Sequence, residues 1–437
     1  MVDQPDKMKN LSPDDKRQLL KQLLRERAPS HEENTDTKPT SVVYPPEYTD
    51  MMGMMKELEQ QGLGAIYFQS SEGLNTNTTS IGGKSYINYA GYNYIGMSGD
   101  PVITQAAKDA IDTYGTSVSA SRLASGERPL HRELENEIAD FLGTEDCVVF
   151  IGGYITNEAV IGHISGPEDL VIYDSLIHAS VQTGCKLSGA TIKPFPHNNW
   201  ESLDRILKEQ RFKYRQVLIV IEGVYSMDGD IPDLPKFIEI KRRHKALLMV
   251  DEAHSVGVLG KNGGGIGEHY AIDRSEVDLW MGTLSKAFAS CGGYIAGSGE
   301  LIKYLKYTTP GFVYSVGITP PNAAAALAAI RLLRKEPERV KRLRYRARFF
   351  LDLARSYDLN TGTSAGSAVI PIILGQSLPC IQLYRHLFDN GIYVLPIMYP
   401  TVPENASRLR FFITSNHTED QIRTTVDAVA EWNRRNG

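Results

Sequence analysis

The chain has 437 residues, of which 42% are hydrophobic, and this is enough to bury a large core in two or three domains. Its 47 basic and 52 acidic residues leave a net charge of −5 without a long basic block, which argues against nucleic acids and anionic membranes as partners. No apolar run approaches the roughly 20 residues of a membrane-spanning helix, and the charged N-terminus lacks the apolar core of a signal peptide. We therefore expect a cytoplasmic protein that acts on small molecules.

The first 45 residues are predicted to form a separate polar arm. They are rich in Lys, Arg, Asp, Glu and Gln. A leucine stripe within Leu11 to Arg27 is typical of a short amphipathic helix, and the segment from Pro29 to Pro39 has the composition of a linker. Two interpretations stay open: a flexible tail, or a segment that docks the chain onto a larger assembly. Residues 46 to 100 follow as an N-terminal segment of the main body.

From residue 101 to 330, short apolar segments alternate with segments of helix length. The seven strand candidates are Cys147 to Ile151, Leu170 to Tyr173, Thr191 to Phe195, Val217 to Ile221, Leu247 to Val250, Val277 to Met281 and Tyr294 to Ala296. Such alternation is typical of a mainly parallel sheet with helices on both faces. We therefore predict a large α/β domain with a seven-stranded sheet.

Residues 331 to 437 are predicted to form a smaller α+β domain. The pattern is helical to about residue 356. The later elements are a strand at Val369 to Leu374, a helix near Ile381 to Asn390, strands at Tyr393 to Pro396 and Arg408 to Ile413, and a helix from Thr418 to Trp432.

The four cysteines, Cys147, Cys185, Cys291 and Cys380, are scattered along the chain. Their spacing matches neither a set of metal ligands nor a disulfide framework. It predicts free thiols in a reducing compartment and no metal site.

Polar residues follow four neighbouring strands of the predicted sheet. Asp174, Glu222 and Asp251 each come after an apolar strand, and Thr283 and Lys286 come after another. Functional groups of an open α/β sheet gather just beyond the carboxyl ends of its strands. We therefore expect these side chains to share one edge of the sheet.

Lys286, in Gly282-Thr-Leu-Ser-Lys286, suits a Schiff base to an aldehyde cofactor whose phosphate needs hydrogen-bond donors. In Asp251-Glu-Ala-His254, an aspartate beneath a pyridine ring would keep the ring nitrogen protonated, and His254 could donate to an oxygen on that ring. Each residue alone has an ordinary alternative: an exposed lysine, a helix cap or a buried histidine. Their combination favours the cofactor site.

A third element lies where a strand turns into a helix, in Phe150-Ile-Gly-Gly-Tyr-Ile-Thr-Asn157. Glycines there let backbone amides approach an anion, so the N–H groups of Gly153 and Tyr154 could hold a phosphate. His178, after the next strand, offers a flat ring that could stack on a planar cofactor. A plain turn and a histidine on a helix face are the ordinary alternatives.

Five ordered motifs together resemble the α-oxoamine synthases, which include 8-amino-7-oxononanoate synthase and serine palmitoyltransferase. The motifs are Gly153-Tyr154, Asp174 to Ser180, Glu222 to Asp230, Val250 to Gly257 and Gly282 to Lys286. The resemblance covers about residues 50 to 435. It implies a fold type I transferase that uses pyridoxal 5′-phosphate and forms a homodimer with active sites at the subunit interface. It also implies decarboxylative condensation of an amino acid with an acyl thioester, which gives an α-amino ketone and carbon dioxide.

The resemblance implies a role for each matched residue. Lys286 is the Schiff-base lysine and the base for the Cα proton, Asp251 is the partner of the pyridinium nitrogen, and His254 is the donor to the ring hydroxyl. His178 stacks on the ring and assists the new carbonyl group. The remaining residues are Gly153, Tyr154 and Thr283 at the phosphate, Ser226 near the ring, and Asn93 and Arg410 at the substrate, whose carboxylate Arg410 receives.

Two segments depart from the family pattern. Val118 and Ala120 stand where many relatives carry glycine, so the amino-acid substrate stays open. Ser315, Thr319 or neither contacts the phosphate across the dimer. The segments Val118 to Arg128 and Ala287 to Gly293 look most like members associated with polyketide assembly lines, which makes an acyl carrier protein a candidate donor beside coenzyme A.

Two alternatives stay open. One is another fold type I enzyme, an aldolase, decarboxylase or racemase that uses the same lysine. The other is a non-catalytic partner subunit, against which the presence of Lys286, His178 and Asp251 argues.

Overall fold

The computed structural model describes residues 42–60, 66–399 and 401–436. The predicted helix at Leu11 to Arg27 and the linker after it lie outside these residues. Helix α1 (Pro46–Gln60) belongs to one compact unit and the residues from 66 onward to another, and the rest of the description concerns the second unit. None of the helices in the described ranges is long and apolar enough to cross a membrane.

The second unit contains three sheets. The strands are β1 (Ser71–Glu72), β2 (Thr78–Ile81), β3 (Lys84–Asn88), β4 (Asp146–Phe150), β5 (Leu170–Asp174), β6 (Thr191–Phe195), β7 (Val217–Glu222), β8 (Leu247–Asp251), β9 (Leu279–Thr283), β10 (Gly293–Gly297), β11 (Val369–Gly375), β12 (Ile392–Tyr393), β13 (Leu395–Ile397) and β14 (Ser407–Phe412). The α-helices are α2 (Pro101–Tyr114), α3 (Pro129–Leu142), α4 (Gly153–Ile164), α5 (Ala179–Ser188), α6 (Trp200–Gln210), α7 (Leu234–His244), α8 (Gly265–His269), α9 (Gly299–Thr308), α10 (Pro310–Val313), α11 (Pro320–Lys335), α12 (Glu338–Ser356), α13 (Ser377–Asp389) and α14 (Glu419–Asn436). A π-helical turn (Arg122–Gly126) and three 3₁₀ turns (Arg211–Lys213, Arg274–Glu276 and Glu404–Ala406) complete the elements.

The large sheet has seven strands in the order β4-β10-β9-β8-β7-β5-β6. Strand β10 runs antiparallel to both of its neighbours, and the other pairs are parallel. The predicted mainly parallel, seven-stranded sheet is therefore confirmed. The order also makes β9, β8, β7 and β5 consecutive, so the polar residues that follow these strands share one edge.

The core forms where this sheet meets its helices. Val148 and Leu218 on the strands pack with Val160 on α4 and Val181 on α5 in one buried cluster. Each fully buried aliphatic side chain contributes about 1.5–3 kcal/mol relative to an exposed one. Strand β7 is buried at every position, which explains its unbroken apolar run.

The C-terminal sheet is antiparallel, in the order β11-β14-β13. The single strand predicted at Tyr393 to Pro396 is two short strands. Strand β12 pairs in parallel with β3 in the third sheet, and β13 pairs with β14. Val394, buried between them, is the residue at which the chain passes from one sheet to the other. The predicted domain limits at residues 100 and 330 stay predictions.

The hairpin of β2 and β3 was not predicted. Its two-residue turn is Gly82-Gly83, with φ of 57° and 74°. Two successive positive φ angles favour glycine and match the twist of a hairpin. A Gly-Gly pair between two strand-forming runs is the signal that could have identified it.

Candidate active site

Asp251 ends strand β8 and is 4% exposed. One carboxylate oxygen, Oδ2, accepts a hydrogen bond from Asn157 Nδ2 at 2.8 Å, and Oδ1 accepts one from the backbone N–H of Ala253 at 2.9 Å. Asn157 lies on α4, and it also donates to Ser180 Oγ at 2.9 Å. The two donors on Asp251 fix the direction of its carboxylate at the strand end.

Lys286 follows strand β9 by three residues. In the part of the chain that the structure describes, its amine makes no hydrogen bond and no ion pair. Burial lowers the pKa of Lys286 to about 8, although the nearby charges of Asp251 and Glu222 act in the opposite direction. A larger share of this amine than of an exposed lysine is therefore unprotonated near neutral pH, as a nucleophile or a base requires.

His178 stands immediately before α5. Its Nδ1 atom is 2.8 Å from Ser180 Oγ and accepts the backbone N–H of Ser180 at 3.3 Å. Since Ser180 Oγ also accepts the Asn157 amide, hydrogen bonds run from His178 through Ser180 and Asn157 to Asp251. Burial lowers the pKa of His178, so the neutral ring is favoured.

Glu222 ends strand β7 beside Asp251, its register partner on β8. Its two carboxyl oxygens accept backbone N–H groups, one from His178 at 2.7 Å and one from Ser226 at 3.2 Å. Burial and the neighbouring Asp251 raise the pKa of Glu222 well above its usual range. Glu222 thus ties the loop after β5 to the loop after β7.

His254 is buried and lies beside two aromatic rings. Its Nδ1 is 2.7 Å from the Tyr94 hydroxyl, and its ring stacks on Phe412 with centroids 6.2 Å apart at 20°. Burial, together with the positive charges of Lys286 and Arg410, lowers the pKa of His254 well below its usual range. His254 is therefore a neutral ring.

The predicted phosphate residues come together at the start of α4. A Cβ atom at Gly153 would lie 2.7 Å from Thr283 Oγ1, so only glycine allows this approach. Thr283 Oγ1 is 2.8 Å from Ser285 Oγ. Residue Gly152 provides no side-chain cap for the helix, which leaves amides of the first turn available to an anion. Tyr154 lies beside them, with its hydroxyl 2.9 Å from Thr183 Oγ1.

The predicted substrate residues occupy two places. Arg410, on β14, donates to the Ser226 carbonyl at 3.0 Å and lies 4.5 Å from the centroid of the Phe412 ring. Burial is the main cause of the lowered pKa of Lys286 and of His178, and the positive charge of Arg410 lowers both values further. The side chain of Asn93 instead bonds to the backbone: Oδ1 accepts the Ser98 N–H at 3.2 Å and Nδ2 donates to the Asn75 carbonyl at 3.4 Å. The substrate role of Asn93 stays a prediction.

Two residues of this arrangement were not assigned a role from the sequence. Asn157 lies one helical turn after Gly153, which places it near the same end of α4. Tyr94 directly follows Asn93, which was predicted to lie at the substrate. Asn157 belongs to a motif that was recognised for its glycines, and Tyr94 adjoins a residue that was assigned another role. Neither position in the sequence indicates a hydrogen-bond partner.

Comparison with known proteins agrees with this geometry. A family model described as aminotransferase class I and II matches residues 84–429. The chain is 39% identical over 376 residues to an 8-amino-7-oxononanoate synthase of Fervidobacterium nodosum, covering 85% of this chain and 94% of that relative. Among solved structures, serine palmitoyltransferase of Sphingomonas wittichii has a TM-score of 0.86 at 28% identity, over 90% of this chain and 99% of that one. A serine palmitoyltransferase of S. paucimobilis, solved with a pyridoxal phosphate–myriocin adduct, has a TM-score of 0.85 at 30% identity, over 89% and 98% of the two chains.

The fold and the site define a pyridoxal-phosphate-dependent transferase of fold type I, as predicted. The chain belongs to the aminotransferase class I and II family and, within it, to the α-oxoamine synthases. Its cofactor is pyridoxal 5′-phosphate.

The residues present fit this cofactor. The glycine approach at Gly153 and the hydroxyl of Thr283 leave space and donors for a phosphate. Lys286 offers an amine without a competing partner in the described chain, and Asp251 offers a carboxylate held by Asn157 for the ring nitrogen. His254 is available to the ring oxygen through the nitrogen that Tyr94 does not occupy.

Proposed function

We propose that this protein joins the Cα carbon of an amino acid to the carbonyl carbon of an acyl thioester. The products are an α-amino ketone, carbon dioxide and the free thiol. The observation that supports this reaction most directly is the hydrogen-bonded chain from Asp251 through Asn157 and Ser180 to His178, beside the free amine of Lys286. The relatives support it as well, since they include an 8-amino-7-oxononanoate synthase and a serine palmitoyltransferase.

Each residue has one task in this reaction. Pyridoxal phosphate, when bound, supplies a ring that withdraws electrons from the amino acid. Lys286, whose pKa burial lowers to about 8, takes the Cα proton as general base. The Cα carbon then bonds to the thioester carbon, and the C–S bond breaks to release a thiolate, which takes a proton from water. The carboxylate leaves as carbon dioxide, and the proton held by Lys286 returns to Cα.

Three further residues orient the reactants. Asp251 holds the ring nitrogen in its protonated form through its negative charge. His178 donates a hydrogen bond to the new carbonyl group through Nε2, since its Nδ1 accepts from Ser180. Arg410 receives the substrate carboxylate through its planar guanidinium, and Ser226 holds that guanidinium by its backbone carbonyl.

The homodimer and the acyl donor belong to the same proposal. Ile151, Ser315 and Val316 line one depression, and Tyr314 beside them is 85% exposed, which favours cover by a second copy. Ser315 and Thr319 are the candidates to reach the partner's phosphate.

We further propose that a carrier protein of a polyketide-type assembly line can supply the acyl group, with residues 1 to 45 as the docking segment. The four cysteines are free thiols, which supports a cytoplasmic location.

Replacement of the lysine tests the reaction. The purified protein is expected to show an absorption band near the short-wavelength limit of visible light, and to lose this band on treatment with borohydride. We expect Lys286→Ala to lack the band and to lose about 10²–10⁴-fold in activity or more, because general base catalysis contributes that much. Lys303→Ala, at an exposed position on α9, is the control and should behave as the wild type.

The products decide between the possible reactions. Mass spectrometry of amino acids paired with acyl-coenzyme A or acyl-carrier thioesters should show an amino ketone only when both substrates are present. Release of carbon dioxide without a thioester would indicate a decarboxylase instead. A protein that binds no pyridoxal phosphate would be a non-catalytic subunit.

A further inference from the structure

The Tyr94 hydroxyl and His254 Nδ1 lie 2.7 Å apart, and both side chains are buried. Within the described residues this is the one hydrogen bond of the Tyr94 hydroxyl and the one hydrogen bond of the His254 ring. Tyr94 is held firmly, because its backbone carbonyl accepts the Ser415 N–H at 2.7 Å and its ring packs edge-on against Phe412.

The direction of this hydrogen bond follows from the inventory of donors. Burial raises the pKa of Tyr94, so its hydroxyl keeps the proton. If Nδ1 carried the ring proton of His254, the buried hydroxyl would have no acceptor, and a buried donor without a partner is strongly unfavourable. If the hydroxyl donates to Nδ1, both groups are satisfied. A neutral imidazole that accepts at Nδ1 carries its proton on Nε2.

We propose that Tyr94 is a positioning residue that holds His254 in the Nε2–H form, so that the ring presents a donor, and not an acceptor, to the ring oxygen of the cofactor. The inference rests on the pyridoxal phosphate site described above and adds the residue that selects the tautomer. The hydroxyl acts through His254 and contacts no reacting atom itself. Tyr94 and His254 are 160 positions apart in the chain, which is why neither motif alone indicates the pair.

The chain contains a matched control in His178. Its Nδ1 also faces a hydroxyl, that of Ser180 at 2.8 Å, but it accepts the backbone N–H of Ser180 as well, at 3.3 Å. A substitution at residue 180 leaves that backbone donor in place. Removal of the Tyr94 hydroxyl should therefore allow both tautomers of His254, whereas removal of the Ser180 hydroxyl should leave the tautomer of His178 unchanged.

The test is ¹⁵N NMR of histidine-labelled protein, without cofactor and with pyridoxal phosphate bound. His254→Gln and His178→Gln identify the two signals. We expect the wild type to show His254 as Nε2–H in both states. Tyr94→Phe keeps the aromatic ring and removes the hydroxyl, so His254 should become a mixture of both tautomers. Ser180→Ala should leave His178 as Nε2–H.

Binding of the cofactor gives a second readout. We expect Tyr94→Phe to weaken pyridoxal phosphate binding about fivefold and to shift the absorbance maximum of the bound cofactor, because the variant loses one net hydrogen bond. A wild-type His254 with its proton on Nδ1 would overturn the proposal, as would an unchanged tautomer in Tyr94→Phe. The spectrum of the wild type decides even if a variant fails to fold. Because the tautomer is also read without cofactor and substrates, a failure of the proposed reaction is a separate result.

Discussion

Two histidines at the same edge of the sheet are held in opposite protonation states. His254 has one hydroxyl partner, Tyr94, and burial lowers its pKa well below the usual range. His197 lies between two carboxylates, with Nδ1 2.9 Å from Asp174 and Nε2 2.8 Å from Asp230. Although burial opposes the charged form, these carboxylates raise the pKa of His197 to about 10. Burial lowers the pKa of both rings, and in His197 the two carboxylates outweigh it.

The difference separates a reactive cluster from a structural one. His197 joins the end of β5, at Asp174, to the loop after β7, at Asp230. It uses both ring nitrogens for this link and has none left for a ligand. The cluster of Asp251, His254 and Lys286 instead keeps atoms free for the cofactor. We therefore expect changes in the two clusters to affect different quantities.

After Lys286→Ala, the largest effect on activity is expected for Asp251→Asn. The amide keeps the shape of the side chain and an acceptor for the Asn157 amide, but it removes the charge that protonates the cofactor ring. We expect kcat/KM to fall by about 10²-fold or more, as for the loss of other preorganised electrostatic groups. The midpoint of thermal unfolding without cofactor should change little. Activity within a few-fold of the wild type would contradict the assigned role of Asp251.

The large sheet could be predicted because its strands carry local signals. A strand covered on both faces, such as β7, is an unbroken apolar run that ends in a carboxylate, and both features can be read from neighbouring residues. The position of β12 could not be predicted in this way. It has two residues, it continues directly into β13, and its partner β3 is about 300 positions earlier in the chain. Only tertiary contacts separate the two short strands.

The site divides in the same manner. Lys286 and Asp251 follow strands, so the rule of strand ends identifies them. Asn157 is a single amide on a helix, and its partner Asp251 lies 94 positions away. Nothing in the local sequence distinguishes this asparagine from one exposed to solvent. The residues for which we propose a chemical role are thus easier to identify from the sequence than the residues that orient them.

The second largest effect is expected for His197→Ala, and it concerns stability. The substitution leaves Asp174 and Asp230 buried without their shared cation, and loss of one partner of a buried ion pair costs about 3–5 kcal/mol. Denaturant unfolding measures this directly. A double variant that combines His197→Gln with Asp174→Asn should recover part of the loss, because it removes an unpaired charge. If His197→Ala unfolds at the wild-type denaturant concentration, the cluster is not a structural link.

The smallest effect is the pH dependence of the same cluster. The folded-state pKa of His197, about 10, lies above its ordinary value of 6.5, so folding favours the protonated ring. Its contribution to stability is fully present below pH 6.5 and declines as pH rises towards 10. Lys286 behaves in the opposite sense, since its pKa is lowered to about 8 and its neutral form is favoured on folding. Lys286 is present in both the wild type and His197→Gln, so its contribution drops out of the difference between their unfolding free energies. We expect that difference to shrink steadily between about pH 7 and 10, whereas a difference independent of pH would show that His197 is neutral in the folded protein.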